Sequence, residues 1–458
     1  MPLPRTEVPT YAFYVVGVLL LAYILSFMDR TVLSLLIDPI RSDLGLSDTS
    51  IGVLIGFGFV LIYSTAGLAL GRLADSGDRR LLIAVGMLVW SLATTASAFT
   101  ASFASLLAAR VMVGVGEAAL SPASYSLIAS YFPKHRLGLA TSIYALGTVL
   151  GSGVASSLIG AVARLSAGWH SLAHINPGTG GWRVIFLIVG VLGVPFVALV
   201  LTIREPRRHR GNSSARAQVP TLALSDALHE LRKHAAPYAG IMLGYAVMTV
   251  ASFTAVLWGP TYFIRLHGFT PASIGSFFGL VMGVGGTAGV LTGGVMTDRL
   301  TRRGVIDAPP RVVIGSLLIQ TTLFPLAYLV RDDSTAEGLF AAGMYFMAFQ
   351  GGLQGATIAI LAAERMRGFA MSLYLLAANL IGMGCGPLLV AVLTDRIFHD
   401  PAAVGKSLAI VAGTSSIVAI AILAATLPAF RRYVRGAGGS AEAVRSGSSP
   451  PLTERASI

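Results

Sequence analysis

Long apolar runs separated by short polar segments make up most of the chain. Twelve of these runs are long enough to cross the roughly 30 Å hydrocarbon layer of a membrane as helices, which takes about 20 residues each. They do not show the alternation over about ten residues that is typical of barrel strands, so the pattern predicts an all-α membrane protein with twelve transmembrane helices. The predicted spans are residues 11–37, 49–73, 81–100, 103–131, 137–163, 183–203, 236–264, 272–297, 312–330, 338–363, 368–394 and 407–430.

The amino-acid composition agrees with this pattern. Of the 458 residues, 54% are hydrophobic and 12% are charged, and the mean hydropathy is +0.75. These values exclude a water-soluble globular protein. The first residues, MPLPRTEVPT, lack the basic region, short apolar core and cleavage site of a removable signal peptide. We therefore expect the first span to remain in the mature protein.

Basic residues are concentrated on one side of the predicted membrane. Of the 33 Lys and Arg residues, 24 fall on the side of the two termini, 7 fall on the other side, and Arg30 and Arg110 lie inside spans. This bias predicts cytoplasmic termini and accounts for the net charge of +12 without a nucleic acid partner. Anionic membrane lipids are the expected partners of this side. Only three of the basic residues are lysines, as in GC-rich bacterial genomes, which favours a bacterial inner membrane.

Two polar segments divide the chain into four parts. Arg204–Pro220 is rich in Pro, Ser and Arg and predicts a linker. After it, Leu224, Leu228 and Leu231 share one face, which predicts a short amphipathic helix at the membrane surface. The end of the chain is rich in Gly, Ser and Pro and is predicted to be disordered. The parts are an N-terminal six-helix bundle, a cytoplasmic linker, a C-terminal six-helix bundle and a tail, at residues 1–204, 205–234, 235–430 and 431–458.

An internal repeat relates the two bundles. The segments GRLADSGDRR at 71–80 and GVMTDRLTRR at 294–303 share the form G-x-x-x-D-x-x-x-R-R, with a constant offset of 294 − 71 = 223 residues. Both segments follow the second span of their half. The repeat therefore predicts two pseudo-symmetric bundles related by an axis along the membrane normal, as in transporters built from parallel repeats.

The repeated loop also suggests a gate on the cytoplasmic side. Its glycines would allow close helix approach, and its aspartates would accept hydrogen bonds from a helix N-terminus or an arginine. The alternative is that the arginines only orient the protein in the membrane, and the two roles are compatible. The inferred gating residues are Gly71, Asp75, Arg79, Gly294, Asp298 and Arg302.

An acid and a base interrupt the first span. A charge at membrane depth costs at least about 2.5–3.5 kcal/mol, so Asp29 and Arg30 are expected to have a role. Arg30 shares a helix face with Tyr23 and Ser34, a polar stripe suited to a water-filled cavity and to substrate binding. The alternative is an ion pair that only holds the first helix in place.

The fourth span carries a polar face through the bilayer. Arg110, Glu117 and Ser121 lie on one side of this helix. Glu117 is close to the midplane, where burial disfavours its charged form and a nearby arginine, Arg30 or Arg110, favours it. We therefore expect Glu117 to take up and release the coupling proton, with Asp29 and Arg110 as its associates in proton coupling and Ser121 in substrate binding. The alternative is a permanent Glu117–Arg110 pair that is purely structural.

The C-terminal half differs in charge. No Asp, Glu, Lys or Arg occurs in five of its spans, 236–264, 272–297, 312–330, 338–363 and 368–394. A cavity with one charged wall and one apolar wall suits an amphiphile with an anionic head near Arg30. The uncharged polar residues predicted to bind substrate are Tyr245, Thr249, Gln350, Gln354 and Asn379. For Gln350 and Gln354, four apart on one helix face, the alternative is interhelical hydrogen bonding.

Motifs of other functions fail on inspection. The stretch GVGGTAG at 283–289 lacks a preceding strand, and DPAAVGKS at 400–407 has Asp400 where a phosphate-binding loop requires glycine. The histidines outside the spans do not have metal-ligand spacing. The sequence therefore predicts no enzyme, no cofactor and no metal.

Together these motifs resemble the major facilitator superfamily, although Ser76 and Asp78 depart from its usual loop motif. Within it, the MDR of the first span and the segment 109–133 look like the Spinster branch, whose animal members transport lysolipids and sphingosine phosphate. The resemblance implies a monomeric secondary active transporter working by alternating access. We expect a proton-coupled carrier of an amphipathic anionic molecule such as a lysolipid. The alternatives are a multidrug or organic-anion exporter and a non-transporting membrane sensor.

Overall fold

The computed structural model describes residues 10–132, 137–168, 181–206, 224–362 and 366–445. All regular elements in these ranges are helices. Ten helical segments are individually long and apolar enough to cross a membrane. Two further helices, described below, are broken near their middle, so the predicted all-α architecture of twelve membrane helices is confirmed.

The twelve membrane helices are numbered α1 to α12 in chain order. In the N-terminal half they are α1, Thr10–Leu35; α2, Asp48–Gly52, Val53–Phe57 and Gly58–Ser76; α3, Arg79–Ser97; α4, Phe103–Glu117 and Leu120–Tyr131; α5, Leu137–Ala145 and Gly147–Gly168; and α6, Trp182–Leu201. In the C-terminal half they are α7, Ala235–His267; α8, Pro271–Leu280, Val281–Gly286 and Thr287–Arg302; α9, Ala308–Leu329; α10, Asp333–Ala348 and Leu353–Leu361; α11, Arg367–Ala377, Ala378–Cys385, Gly386–Val392 and Leu393–Phe398; and α12, Val404–Arg445.

Helices α5 and α10 are the two broken helices counted above, and α4 also has a short break at Ala118–Ala119, directly after Glu117. Helix α5 is interrupted at Leu146, and α10 is interrupted over Phe349–Gly352. Gly352 has a φ of +80°, a left-handed conformation that favours glycine. Pattern analysis identified each pair of segments as one span because the apolar run continues across the break.

Helices α2, α8 and α11 contain π-helical stretches, which sequence periodicity did not predict. They are Val53–Phe57 in α2, Val281–Gly286 in α8, and Ala378–Cys385 and Leu393–Phe398 in α11. A π-helical stretch widens the turn and often occurs where a helix bends at a functional position. All three helices contact the opposite half of the molecule.

The halves meet closely at the end of the bundle where α1 ends, which we call the distal end. There a Cβ on Gly52 of α2 would lie 2.8 Å from Ala391 Cβ of α11. Arg265, in the last turn of α7, donates to Asp38 Oδ1 at 2.6 Å and to Asp48 Oδ2 at 2.7 Å, both of which belong to the N-terminal half. The distal end is therefore closed by packing and by ion pairs.

The opposite end, where α1 begins, is the terminal end. Toward it, the segments Leu137–Ala145 of α5, Thr287–Arg302 of α8 and Arg367–Ala377 of α11 pack chiefly against helices of their own half. The space between the halves therefore opens at the terminal end.

Three short helices in the described ranges are not membrane helices. They are Ile37–Leu44 after α1, the 3₁₀ helix Pro401–Ala403 before α12, and a linker helix, Leu224–Lys233, which precedes α7 as the leucine pattern predicts. Helix α12 continues to Arg445 and so runs into the segment that the composition predicts to be disordered. Residues 446–458 and most of the predicted linker, 207–223, lie outside the described residues.

Candidate functional site

An ion pair joins α1 and α4 within the membrane bundle. Arg30 Nε and Nη2 each lie 2.6 Å from Glu117 Oε2. The Glu117 side chain is fully buried, whereas 16% of the Arg30 side chain is exposed. Sequence analysis expected Glu117 to meet either Arg30 or Arg110, and the structure shows Arg30 in that position.

Aromatic rings surround the Arg30 guanidinium. Its central carbon lies 5.1 Å from the ring centre of Phe27, 5.0 Å from that of Phe59 and 4.7 Å from that of Tyr63. Cation–π contacts of this kind stabilise an arginine when it is removed from water. The rings of α2 therefore help to retain a charge that the membrane would otherwise exclude, and sequence analysis did not identify Phe59 or Tyr63.

A second ion pair lies beside the first. Arg110 Nη1 donates to Asp29 Oδ2 at 2.8 Å, and Thr94 Oγ1 donates to Asp29 Oδ1 at 2.7 Å. Both side chains of this pair are only 2% exposed. The alternative of a structural Glu117–Arg110 pair is not what the structure shows, because the partner of Arg110 is Asp29.

Two buried polar atoms of these pairs have no hydrogen-bond partner among the described residues. They are Glu117 Oε1 and Arg110 Nε. Buried polar groups in proteins are nearly always satisfied, so such atoms indicate a place for water, a proton or a ligand. The unbonded oxygen of Glu117 belongs to the Arg30–Glu117 pair, whereas Arg110 Nε belongs to the Arg110–Asp29 pair.

The remaining predicted residues of the N-terminal half surround the pair unevenly. Tyr23 stacks on Tyr144 with ring centres 4.4 Å apart. Ser34 is buried and donates to the carbonyl oxygen of Arg30 at 3.5 Å. Ser121 is half-buried near the start of the second segment of α4. Their predicted contacts with substrate stay predictions.

The predicted residues of the C-terminal half are of two kinds. The Tyr245 hydroxyl lies 2.7 Å from Thr357 Oγ1, Thr249 donates to the Ala378 carbonyl oxygen at 3.2 Å, and Gln350 Nε2 donates to Ser316 Oγ at 3.4 Å. All three are interhelical bonds, which sequence analysis gave as the alternative for Gln350 but not for Tyr245 or Thr249. Gln354 and Asn379 are half-buried, and they are the members of this set best placed to line a cavity.

The structure describes the surroundings of four of the six predicted gating residues. Arg79 is buried and donates to Glu205 Oε1 at 2.6 Å and to Ser130 Oγ at 2.7 Å, which ties it to its own half. Asp298 and Arg302 are exposed, and a Cβ on Gly294 would meet no atom within 4 Å. The close helix approach expected at Gly294 is therefore absent in this conformation. The surroundings of Gly71 and the side chain of Asp75 lie outside what the structure describes.

Sequence analysis missed the ion cluster at the distal end. Arg265 contacts Asp38 and Asp48, and Arg41 Nε also lies 3.1 Å from Asp48 Oδ1. Asp48 is fully buried although it lies at the start of α2. A charged residue directly before an apolar run is ordinary in a membrane protein, so the sequence held no signal for this burial.

Comparison with known proteins identifies the family. The sequence profile of the Major Facilitator Superfamily matches residues 19–387. A protein of Mycolicibacterium smegmatis described as an MFS-type efflux pump is 29% identical over 421 residues, which are 90% of this chain and 91% of that protein. Protein spinster homolog 1 of Xenopus tropicalis is 27% identical over 408 residues, which are 85% of this chain and 74% of that protein.

Solved structures agree with these sequence matches. A bacterial homolog of the human lysosomal transporter Spinster, crystallised in an inward-facing and unoccupied conformation, superposes with a TM-score of 0.73 at 24% identity, covering 94% of this chain and 98% of that chain. The fold is thus shared over nearly the whole length of both proteins. Because the profile covers most of the sequence, this chain belongs to the Major Facilitator Superfamily, a family of membrane transporters and not of enzymes, and it is Spinster-like within that family.

Proposed function

We propose that this transporter couples the movement of an amphipathic organic anion to the movement of protons. The observation that carries the proposal is the pair of Arg30 and Glu117, in which a partly exposed arginine is bound by a fully buried carboxylate with one free oxygen. An ionised residue inside a membrane bundle needs a partner, and such residues are typical of proton and substrate pathways.

The coupling follows from competition for one guanidinium. While Glu117 is ionised, it occupies the Nε and Nη2 groups of Arg30 and neutralises the guanidinium charge. When Glu117 takes up a proton, its carboxylate becomes a neutral acid and Arg30 needs a new counter-ion. The anionic head of a substrate then supplies the charge. Substrate and proton are therefore loaded together, and release of the proton returns Glu117 to Arg30.

An apolar tail accounts for the asymmetry of the two halves. The five predicted spans that lie within residues 236–394 contain no Asp, Glu, Lys or Arg. An alkyl chain can therefore lie along these helices without contacting a charged side chain of the spans. A lysolipid has this chemistry. The second candidate, an exporter of drugs or organic anions, is favoured by the similarity to the mycobacterial efflux pump.

Alternating access fits the observed conformation. The distal end is closed by Arg265 and its two aspartates, and the space between the halves opens at the terminal end. With the cytoplasmic termini that the charge bias favours, this is an inward-open state. Transport then requires the distal ion cluster to break and the terminal end to close.

The proposal is tested by Glu117→Gln in proteoliposomes. Glutamine is a neutral mimic of the protonated acid, so exchange of substrate across the membrane should continue while accumulation driven by a pH gradient is lost. The reason is that a gradient does work only through a group whose proton affinity differs between states. The variant's yield and thermal stability serve as the control. A stable Glu117→Gln protein with normal pH-driven accumulation contradicts the proposal.

The role of Arg30 is tested by comparing Arg30→Ala with Arg30→Lys. We expect Arg30→Ala to abolish binding of an anionic lysolipid and Arg30→Lys to restore it in part, because lysine keeps the charge and lacks the planar fork. Binding is measured directly, by displacement of a fluorescent lysolipid, so that a defect in coupling does not obscure the result. Full binding by Arg30→Ala means that another residue holds the anion.

A further inference from the structure

A cavity lies at the terminal end, away from the space between the halves. It has a volume of about 620 Å³ and is formed by the end of the linker helix, the start of α7 and the part of α12 beyond the bundle. Its lining includes Glu230, Lys233, His234, Tyr433 and Arg432. None of these residues belongs to the site proposed for transport.

The cavity carries two cations that the described residues do not neutralise. Lys233 and Arg432 are exposed, and neither forms an ion pair or hydrogen bond with any part of the chain that the structure describes. The neighbouring Arg431, by contrast, is bonded to Asp307 at 2.5 Å. The carboxylate of Glu230, which also lines the cavity, lies 3.4 Å from His234 Nε2 and forms an ion pair with it when the histidine is protonated.

The backbone adds a further attraction for anions. Helix α7 is 33 residues long and begins at Ala235, on the wall of the cavity, and no side chain caps its first amide groups. Unpaired N–H groups and the helix dipole favour negative charge at this position. The N–H groups and the helix dipole add to the positive potential of Lys233 and Arg432. These two side chains would attract an anion even without the helix.

The floor of the cavity is apolar. The ring of Tyr433 packs against His234 with centres 4.7 Å apart and against Tyr238 with centres 5.9 Å apart. Pro237 and Ala429 complete this surface, and Leu231 of the linker helix packs on the hydrophobic core of the C-terminal half. A cationic rim over an apolar floor, beside the terminal ends of the apolar helices α7 and α12, matches a lipid headgroup with its first acyl carbons.

We propose that this cavity binds the headgroup of an anionic phospholipid, with the phosphodiester between Lys233 and Arg432. The bound lipid would fasten the linker helix to the C-terminal half, since Lys233 comes from the linker helix and Arg432 from α12. The proposal is independent of the transported substrate and of proton coupling.

The experiment measures lipid-dependent thermal stability of the full-length protein in detergent. Dioctanoyl phosphatidylglycerol should raise the melting temperature in a saturable way, and dioctanoyl phosphatidylcholine should not. The double variant Lys233→Gln/Arg432→Gln should raise the apparent dissociation constant for phosphatidylglycerol about tenfold. The matched control, Arg299→Gln/Arg303→Gln, removes the same charge from exposed positions on the same end of the bundle and should leave the constant unchanged.

The other outcomes overturn the proposal. Equal stabilisation by phosphatidylcholine means that the site does not distinguish an anionic headgroup from a zwitterionic one. An equal effect of soluble glycerol phosphate means that the site binds a phosphate group and not a lipid. Equal weakening by the control pair means that only the general surface charge matters. Should the double variant fail to fold, the exchange Lys233→Arg/Arg432→Lys must keep the affinity. A photoactivatable phosphatidylglycerol must also label residues 229–238 or 429–436 of the wild-type chain, and labelling elsewhere contradicts the site.

Discussion

Two ion pairs on adjacent residues of α1 have different surroundings. Asp29 is bonded by both Arg110 and Thr94 and is sealed from solvent, whereas Glu117 has a free oxygen and its partner Arg30 is partly exposed. A sealed pair with all carboxylate oxygens bonded is suited to hold helices together. A carboxylate with an unbonded oxygen beside a partly exposed guanidinium, as in Glu117, is suited to gain and lose a proton.

This contrast predicts unequal effects of the two neutral variants on stability. Asp29→Asn leaves Arg110 buried without a counter-charge, which costs roughly 3–5 kcal/mol. Glu117→Gln leaves Arg30 with partial access to water and three aromatic rings, so its loss should be less than half as large. Thermal inactivation rates of both variants in detergent provide the comparison. Equal losses would show that the two pairs are equally structural.

A third carboxylate predicts a pH dependence outside the membrane spans. Burial alone would raise the pKa of Asp307, but hydrogen bonds from Arg431 and Arg311 lower it below its usual value. The unfolded pKa is about 3.9, so the stabilising effect is complete above that pH and is lost as pH falls through the folded pKa. Wild type should therefore exceed Asp307→Asn in melting temperature at pH 7, and the difference should shrink toward pH 3. A constant difference would contradict this linkage.

At the scale of elements, the position of Glu117 depends on how closely α3 and α4 approach. A Cβ on Gly116 would lie 2.5 Å from the Gly86 carbonyl oxygen and 2.7 Å from the Trp90 nitrogen. No side chain fits there, because the neighbouring atoms are backbone. The small residues thus set the depth at which α4 presents its carboxylate to α1.

Gly116→Ala should therefore separate α3 from α4 and displace Glu117 from Arg30. We expect a loss of stability of about 2 kcal/mol, from overpacking, together with reduced pH-driven transport. The matched control is Gly17→Ala in α1, where a Cβ would meet no atom within 4 Å and alanine favours the helix. If Gly116→Ala behaves like Gly17→Ala, the close approach does not position the site.

At the scale of the whole molecule, Arg265 joins the halves at the distal end. Its guanidinium is bonded to both Asp38 and Asp48, and the Thr49 amide is bonded to Asp395 Oδ2 at 2.5 Å. These contacts exist only while the distal end is closed. They therefore favour the state seen here over the state open at the distal end.

Arg265→Gln should shift the population toward opening at the distal end. Single cysteines introduced at the two ends, in a Cys385→Ser background, report the shift by their labelling rates with a membrane-impermeant maleimide. We expect roughly tenfold faster labelling at the distal end, equivalent to about 1.4 kcal/mol of lost bias. Lys406→Gln, which removes a basic residue of the same end outside the cluster, is the control. Unchanged labelling would mean that apolar packing alone closes the distal end.

The sequence was most informative where hydrophobic length alone decides the structure. The twelve spans and the polar faces of α1 and α4 follow from periodicity, and so does the meeting of Arg30 with Glu117 as one of two options. Periodicity gives the face of a helix but not its neighbour, so the partner of Asp29 could not be assigned. The burial of Asp48 and its contact with Arg265 depend on how two helix ends from different halves meet, for which a single sequence holds no spacing rule.

The π-helical stretches have a consequence for the two halves. In α2 the stretch begins 71 − 53 = 18 residues before Gly71, and in α8 it begins 294 − 281 = 13 residues before Gly294. The difference, 18 − 13 = 5 residues, corresponds to about 7.5 Å along a helix. If each helix bends at its π-helical stretch, the bending points of α2 and α8 lie at different distances from the repeated loop. The two halves would then share the same chain path, but the segment between the bend and the loop would be shorter in α8 than in α2.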